Sequence, residues 1–245
     1  MTPTLMSPTH GMILAAGLGT RMRPLTHTQP KPMLKVADKP LIDWALDRLG
    51  EAGCACVVVN LHHLGEQIVR HLATHPAVTF VHEDPVLETG GGVKNALDQD
   101  LLGDRPFFVC NADNLWLDDG DSSLTRLAAA WDDGAMDALL LLHSADTATG
   151  YDGVGDFWGD VSQAGPIRRI TDGGADHKPY VFTGVQLLHP RLFINAPDGA
   201  FSLNVLYDQA LAHGRLYGLA HQGAWHHVGT PEALAATDAL LKGGA

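Results

Sequence analysis

The sequence predicts an α/β protein built on a doubly wound, mostly parallel sheet, with a small β-rich lobe after it. Three observations carry this. Short apolar runs alternate with amphipathic segments through the first 145 of the 245 residues. The first of these runs, Met12 to Ala16, stops at a glycine-rich turn. From Gly150 the chain changes to glycines, aromatics and acids at hairpin spacing.

Met12 to Ala16, bounded by Gly17, suits a strand covered on both faces. Pro40 to Gly53 has apolar residues at helical spacing, proline near its start and glycine at its end, as a crossover helix does. Cys54 to Leu61 is a β-branched strand, Gly65 to Leu72 a second helix and Val78 to His82 a third strand. Strand, helix, strand, helix, strand gives right-handed parallel crossovers. Glu88-Thr-Gly-Gly-Gly92 then stands directly before a helical segment, and Pro106 to Cys110 is a strand ending in Asn111-Ala-Asp113-Asn114. Ser122 to Trp131 reads as a helix and Ala138 to Leu142 as a buried strand. Beyond Gly150, Pro166 to Thr171 and Tyr180 to Leu188 are strands, Asn204 to His213 a helix and Arg215 to Ala220 a strand. Trp225-His-His-Val-Gly-Thr-Pro231 leads into a terminal helix with proline in its first turn. Residues 1–10 read as a flexible tail and 11–245 as a single domain.

A net charge of −12 argues against a nucleic-acid surface, which needs a basic stripe to displace counterions. Six of the sixteen Lys and Arg residues nevertheless fall in one short segment: Arg21, Arg23, Lys31, Lys35, Lys39 and Arg48. Cations concentrated in an acidic protein suit a small anionic ligand held locally. Cys54, Cys56 and Cys110, odd in number and in or beside apolar strands, read as core cysteines. No run approaches the length of a membrane span, and the first ten residues have neither a basic start nor an apolar core, so a cytoplasmic chain, monomer or small homo-oligomer, is expected.

The glycine turn carries the chemistry. Gly17 and Gly19 permit a positive φ and let backbone N–H groups approach a ligand that a Cβ would hold off. Lys31 lies between Pro30 and Pro32, which present it on a stiff segment. Fixed cations beside open backbone donors suit a polyphosphate. The dinucleotide fingerprint is excluded, because Met22 stands where its third glycine belongs and the second strand ends without an acid. The spacing of the P-loop is absent too. Three glycines at a helix start offer N–H donors to a flat base or a phosphate. Asp113, just past the carboxyl end of a parallel strand, lies where open α/β sheets bind ligands. A Mg²⁺ ligand and a turn-capping aspartate both fit it.

Leu14-Ala-Ala-Gly-Leu-Gly-Thr-Arg-Met-Arg-Pro-Leu-Thr26 with Pro30-Lys-Pro32 resembles the signature of the sugar-1-phosphate nucleotidyltransferases, whose sheet is Rossmann-like, and the likeness runs from Met12 to Leu241. It implies that Ala15, Ala16, Gly17, Leu18, Gly19 and Thr20 wrap a nucleoside triphosphate. Arg21 would contact the leaving pyrophosphate, Lys31 the α-phosphate or the sugar phosphate, and Asp113 of Asn-x-Asp the catalytic Mg²⁺. Glu88, Thr89, Gly90 and Gly91 resemble the segment that recognises the base. Asn111, Gly155, Asp156, Thr183 and Gly184 fall in segments that line the family's sugar pocket. Where many relatives have Glu-Lys-Pro this chain has Asp172-Gly-Gly, which leaves Asp172 as the candidate to grip sugar hydroxyls. The nucleotide-binding half would span about 11–145 and the sugar-binding half about 146–245.

One position departs from the family. His227 stands where an aspartate usually supplies the second metal ligand. Three explanations are open: Asp113 holds the metal with water and phosphates alone, His227 ligates a softer ion such as Mn²⁺, or the protein binds nucleotide without much turnover. The form of the Glu88 segment and the short chain imply UTP and N-acetylmuramate 1-phosphate as substrates, in peptidoglycan recycling. Mannose 1-phosphate with GTP, or another hexose 1-phosphate, is the alternative. From a different class, a weakly catalytic regulatory protein that binds nucleotide sugars is the competing reading.

Overall fold

The computed structural model describes residues 7–170 and 179–243. In chain order its elements are β1 (His10–Leu14), β2 (Lys35–Val36), β3 (Lys39–Pro40), α1 (Leu41–Glu51), β4 (Cys56–Leu61), α2 (Gly65–Leu72), β5 (Val78–His82), α3 (Glu88–Asp98), β6 (Phe107–Asn111) and β7 (Asn114–Asp118). There follow α4 (Ser123–Ala130), β8 (Ala138–Ser144), β9 (Phe157–Gly159), β10 (Gly165–Arg169), β11 (Tyr180–Leu188), α5 (Asn204–Ala212), β12 (Leu216–Ala220), β13 (Gly223–His227) and α6 (Pro231–Gly243).

One sheet holds nine of these strands in the order β5-β4-β1-β6-β11-β8-β12-β10-β9. Its first four strands are parallel neighbours, as the alternation of strand and helix requires. Successive residues of β1, β4 and β6 enter different cores. Ile13, Val57, Val59, Phe108 and Cys110 pack with Ile42, Leu46, Leu49, Ile68 and Leu72 of α1 and α2. Met12, Val58, Phe107 and Val109 pack with Val93 and Ala96 of α3 and with Leu206, Tyr207 and Ala210 of α5. Both faces are therefore dry, which is why these strands read as continuous apolar runs rather than alternating ones. Each such Val, Leu or Phe contributes about 1.5–3 kcal/mol by leaving water.

The sheet changes character beyond β6. β11 runs antiparallel to both β6 and β8, with an irregularity between Phe182 and Gln186. The parallel pair β8–β12 and the antiparallel β10 and β9 complete it. A separate ribbon pairs β7 with β13, setting His227 opposite Asn114 and Trp225 opposite Trp116.

Several sequence expectations are corrected. His10, within the expected tail, opens β1, and the Thr9 carbonyl accepts from the N–H groups of Ala55 and Cys56. Trp225 to His227, expected to lead into a helix, lies in β13, which pairs with β7 in a ribbon that the sequence does not announce. Cys54 and Cys110 are buried, but Cys56 at the start of β4 is exposed. The three glycines lie inside the first turn of α3, buried, not in a loop ahead of it.

Candidate functional site

A cleft of about 310 Å³ opens at the carboxyl ends of β1 and β6, walled by the turn after β1 and by the first residues of α3. Ala15, Ala16, Gly17, Gly19, Thr20, Arg21, Lys31, Glu88, Thr89, Asn111 and Asp113 all line it. Most of the residues that the resemblance assigned to a nucleotide are thus brought together.

The turn is held from behind. Gly19 takes φ 60°, where a Cβ would come 2.9 Å from the Thr26 side chain, and its carbonyl accepts from Thr26 Oγ1 at 2.8 Å. His63 Nε2 lies 3.0 Å from the Thr26 carbonyl and His62 Nδ1 2.8 Å from the Glu83 carbonyl, so this pair anchors loops. Ala15 N–H donates to Asn60 Oδ1 at 2.7 Å. Among the described residues none accepts the N–H groups of Ala16, Gly17 or Gly19. Such a run of unused donors forms a concavity for an anion. Arg21, exposed beside it, has no ion-pair partner among the described residues.

Across the floor, Lys31 Nζ lies 2.7 Å from Asp113 Oδ2. Lys31 is 8% exposed, pinned by Pro30 and Pro32 in a short 3₁₀ turn. Burial works against ionisation of Asp113, but the adjacent Lys31 charge and its hydrogen bond outweigh it and hold the carboxyl below its usual range. The ribbon brings His227 to the edge of the cleft beside Gly229, although His227 is not itself among the lining residues. Its Nδ1 is 3.2 Å from Asn114 Oδ1 and its ring stacks on Trp225. Burial pushes the His227 ring below its usual range; Asp113 opposes this, and Lys31 and Arg21 add to it. The imidazole is therefore neutral near pH 7, with a lone pair free to bind a metal or accept a proton.

Other predicted residues are placed differently. Leu18 is 45% exposed and does not line the cleft. Neither do Gly90 and Gly91, whose N–H groups both donate to the Phe201 carbonyl, at 2.8 and 3.1 Å. A Cβ at Gly90 would overlap the Phe201 ring and one at Gly91 the Gly199 carbonyl, so these glycines admit a passing strand of protein. Thr89 lines the cleft, yet its Oγ1 accepts from Leu203 N–H at 2.9 Å. In the other half, Thr183 is fully buried and donates to the Leu141 carbonyl at 2.8 Å. Asp156 accepts from Phe182 N–H at 2.8 Å, and Gly155, at φ 95°, donates to Tyr151 Oη. Thr183 and Asp156 thus brace β11 from within the protein, and Gly155 ties the loop at Tyr151. Gly184, at φ 79°, abuts the side chains of Asn111 and Asn114 and leaves room for them. Asp172 lies outside the described residues.

The sequence reading missed Asn60, Glu83, Val86 and Gly229, which also line the cleft. Asn60 had a signal: a polar residue near the end of an otherwise apolar buried strand, where an unpaired amide would be costly.

An anion cradle of backbone donors, flanking cations and a carboxylate at the carboxyl edge of a parallel sheet define a protein that handles nucleoside triphosphates. The MobA-like NTP transferase domain family matches residues 11–148, and the chain belongs to it. It is 41% identical to an N-acetylmuramate alpha-1-phosphate uridylyltransferase of Caulobacter vibrioides, over 96% of this chain and 98% of that one. A protein of the same name from Neisseria meningitidis serogroup B is 36% identical, over 94% of this chain and 96% of that one. Among solved structures, a UDP-glucose pyrophosphorylase complexed with UDP-glucose superposes with TM-score 0.76 at 18% identity, covering 97% and 99% of the two chains. HddC from Yersinia pseudotuberculosis, complexed with GMP-PN, does so with TM-score 0.73 at 21% identity, covering 95% and 99%. The nucleotidyltransferase fold is thus shared over nearly the full length, and the chain is a nucleotidyltransferase.

Proposed function

We propose that this enzyme transfers a uridylyl group from UTP to N-acetylmuramate 1-phosphate, releasing pyrophosphate, as part of peptidoglycan recycling in the cytoplasm. The observation that carries the reading is the part-buried Lys31–Asp113 pair beneath a turn with unused N–H donors. The names of the two relatives support the choice of base and sugar.

A phosphate oxygen of the sugar 1-phosphate attacks the α-phosphorus in line. The new P–O bond forms as the bond to the β-phosphate oxygen breaks, and its electrons leave with pyrophosphate. No side-chain nucleophile is needed. Two anions must meet, so the task of the protein is positioning and charge neutralisation. The free N–H groups of Ala16, Gly17 and Gly19 cradle the triphosphate, Arg21 neutralises the leaving pyrophosphate, and Lys31 bridges the α-phosphate and the incoming phosphate. Glu88 and Thr89 flank the base, and Asn111 faces the sugar phosphate.

The residues present fit a divalent ion held mainly by phosphate oxygens and water. Asp113 is ionised and partly exposed, His227 is neutral beside it, and among the described residues no cluster of three His, Cys, Asp or Glu forms a complete cage. When bound, Mg²⁺ or Mn²⁺ would offset charge building on the phosphates. Asp113 and His227 are the residues that would hold it.

The deciding experiment is pyrophosphate release from the purified protein with UTP, GTP, dTTP, ATP and CTP against a panel of sugar 1-phosphates. Release with UTP and N-acetylmuramate 1-phosphate above all other pairs is expected. Preference for GTP with mannose 1-phosphate would overturn the substrate assignment. Silence with nucleotide still bound would favour the regulatory reading that His227 keeps open.

A further inference from the structure

The two walls of the cleft come from distant parts of the chain, yet one line of hydrogen bonds joins them through two buried side chains at its edge. Ala15 N–H donates to Asn60 Oδ1 at 2.7 Å, Asn60 Nδ2 donates to Glu83 Oε1 at 2.7 Å, and Glu83 Oε2 accepts from Leu87 N–H at 2.8 Å. Ala15 opens the phosphate turn, and Leu87 precedes Glu88 and Thr89. Asn60 and Glu83 are each 3% exposed. Glu83 has no ion-pair partner among the described residues, only these two N–H donors. A carboxylate buried in this way is costly, and apolar side chains could join β4 to the end of β5 more cheaply. Gly92 gives an independent sign that the pair is specified. A Cβ there would stand 2.6 Å from Glu83 Oε1 and 2.9 Å from Asn60 Nδ2, so the third glycine of the run keeps the link unobstructed.

We propose that Asn60 and Glu83 are positioning residues that lock the phosphate turn and the base-flanking segment at one separation, matched to a nucleoside triphosphate. The proposal rests on the nucleotidyl-transfer reading for its substrate. It concerns the nucleotide and not the sugar, because both ends of the link serve the walls of the nucleotide cleft. Each hydrogen bond in the line has a fixed direction: Asn60 must accept on one side and donate on the other, and Glu83 must accept twice.

That directionality supplies the test. Glu83→Gln puts an amide N–H against either Asn60 Nδ2 or Leu87 N–H. Asn60→Asp puts a second carboxylate against Glu83. The pair Asn60→Asp with Glu83→Gln restores every bond: the new carboxylate accepts from Ala15 and from the new amide, and the amide oxygen accepts from Leu87. Net charge and volume are unchanged.

Binding of each of the five triphosphates with Mg²⁺ would be measured by calorimetry, alongside KM for both substrates, kcat and the thermal midpoint. Each single variant should weaken UTP binding and raise its KM about tenfold or more, while KM for the sugar phosphate stays within about twofold. The double variant should return UTP affinity to within about threefold of the wild type. A double variant with the wild-type thermal midpoint but UTP affinity still more than about tenfold weak would overturn the proposal, as would one that does not fold. The double variant decides alone if the singles cannot be purified. Single variants that lose stability and kcat with UTP affinity intact would also overturn it. If the wild type binds UTP but releases no pyrophosphate with any sugar, the functional reading fails, while the binding arm still judges the link. A wild type that binds none of the triphosphates overturns both.

Discussion

Lys31 Nζ stands 2.7 Å from Asp113 Oδ2, on the floor of the cleft at the carboxyl ends of β1 and β6. The lysine thus sits where a cation bound to Asp113 would act, and the two serve one another: Lys31 keeps the carboxylate ionised, and Asp113 aims the ammonium. Asp113→Ala should cut turnover far more than UTP affinity, because affinity is shared with the backbone of the turn. Lys31→Ala should lower kcat on the order of 10²-fold or more, the scale of a lost contact to developing charge. Steady-state kinetics with calorimetric UTP binding reads both, and near-normal turnover of either variant removes that residue from the mechanism.

His227, opposite Asn114 in the ribbon, is held neutral by burial. A neutral imidazole suits Mn²⁺ better than Mg²⁺, whereas a carboxylate suits both. The ratio of rates with Mn²⁺ and Mg²⁺ should therefore exceed one in the wild type and fall in His227→Asp. Equal ratios in the two proteins would show that His227 is not a ligand.

Five histidines, His143, His189, His221, His226 and His227, are held below the usual imidazole range, in each case chiefly by burial. Their folded pKa values lie under the unfolded value of about 6.5, so the unfolded chain binds more protons below that pH. The stability they contribute is present above about pH 6.5 and is lost as pH falls through their depressed folded values. Urea midpoints should drop steadily from pH 7 to pH 5, by more than carboxylate titration alone predicts. A flat profile over that window would contradict their burial as neutral rings.

Gly184 combines φ 79° with a Cβ position already occupied by the amides of Asn114 and Asn111. Gly184→Ala should destabilise the protein by about 1–3 kcal/mol, displacing Asn111 from the cleft wall and Asn114 from its buried place behind it. Thermal denaturation and the sugar-phosphate KM measure this. An unchanged KM would separate Gly184 from the site.

Thr89 Oγ1 accepts from Leu203 N–H. Thr89→Val keeps the shape and removes the acceptor, leaving a half-buried donor unmet at a cost of about 1–3 kcal/mol. Thr89→Ser should restore most of the loss. If the serine variant is no better than the valine, the hydroxyl does not act through Leu203.

The nucleotide half was largely legible because its signals are local. A strand dry on both faces shows as an unbroken apolar run, and β5 and α2 fall where periodicity put them. What escaped depends on distant partners. Nothing near Gly90 announces that the Phe201 ring and carbonyl will claim its space and its N–H, so glycines shaped for protein contact looked like glycines shaped for a ligand. The ribbon escaped for the same reason: Asn114 to Asp118 becomes a strand only by pairing with Gly223 to His227, far along the chain. Thr183 and Asp156 carried polar side chains in segments of the right family likeness, and only the fold shows that their polar atoms are consumed inside it.

The antiparallel β11 lies between β6 and β8 and meets β6 through four residue pairs, from Val185 and Cys110 to Leu188 and Phe107. A sheet continuous across that seam cannot act as a hinge without tearing those pairs. The separation between the cleft beside β6 and the strands beyond β11 is therefore set at folding. A chain cut after β8 would leave β6 as a bare, sticky margin, so the matched N-terminal stretch should not survive as an independent piece.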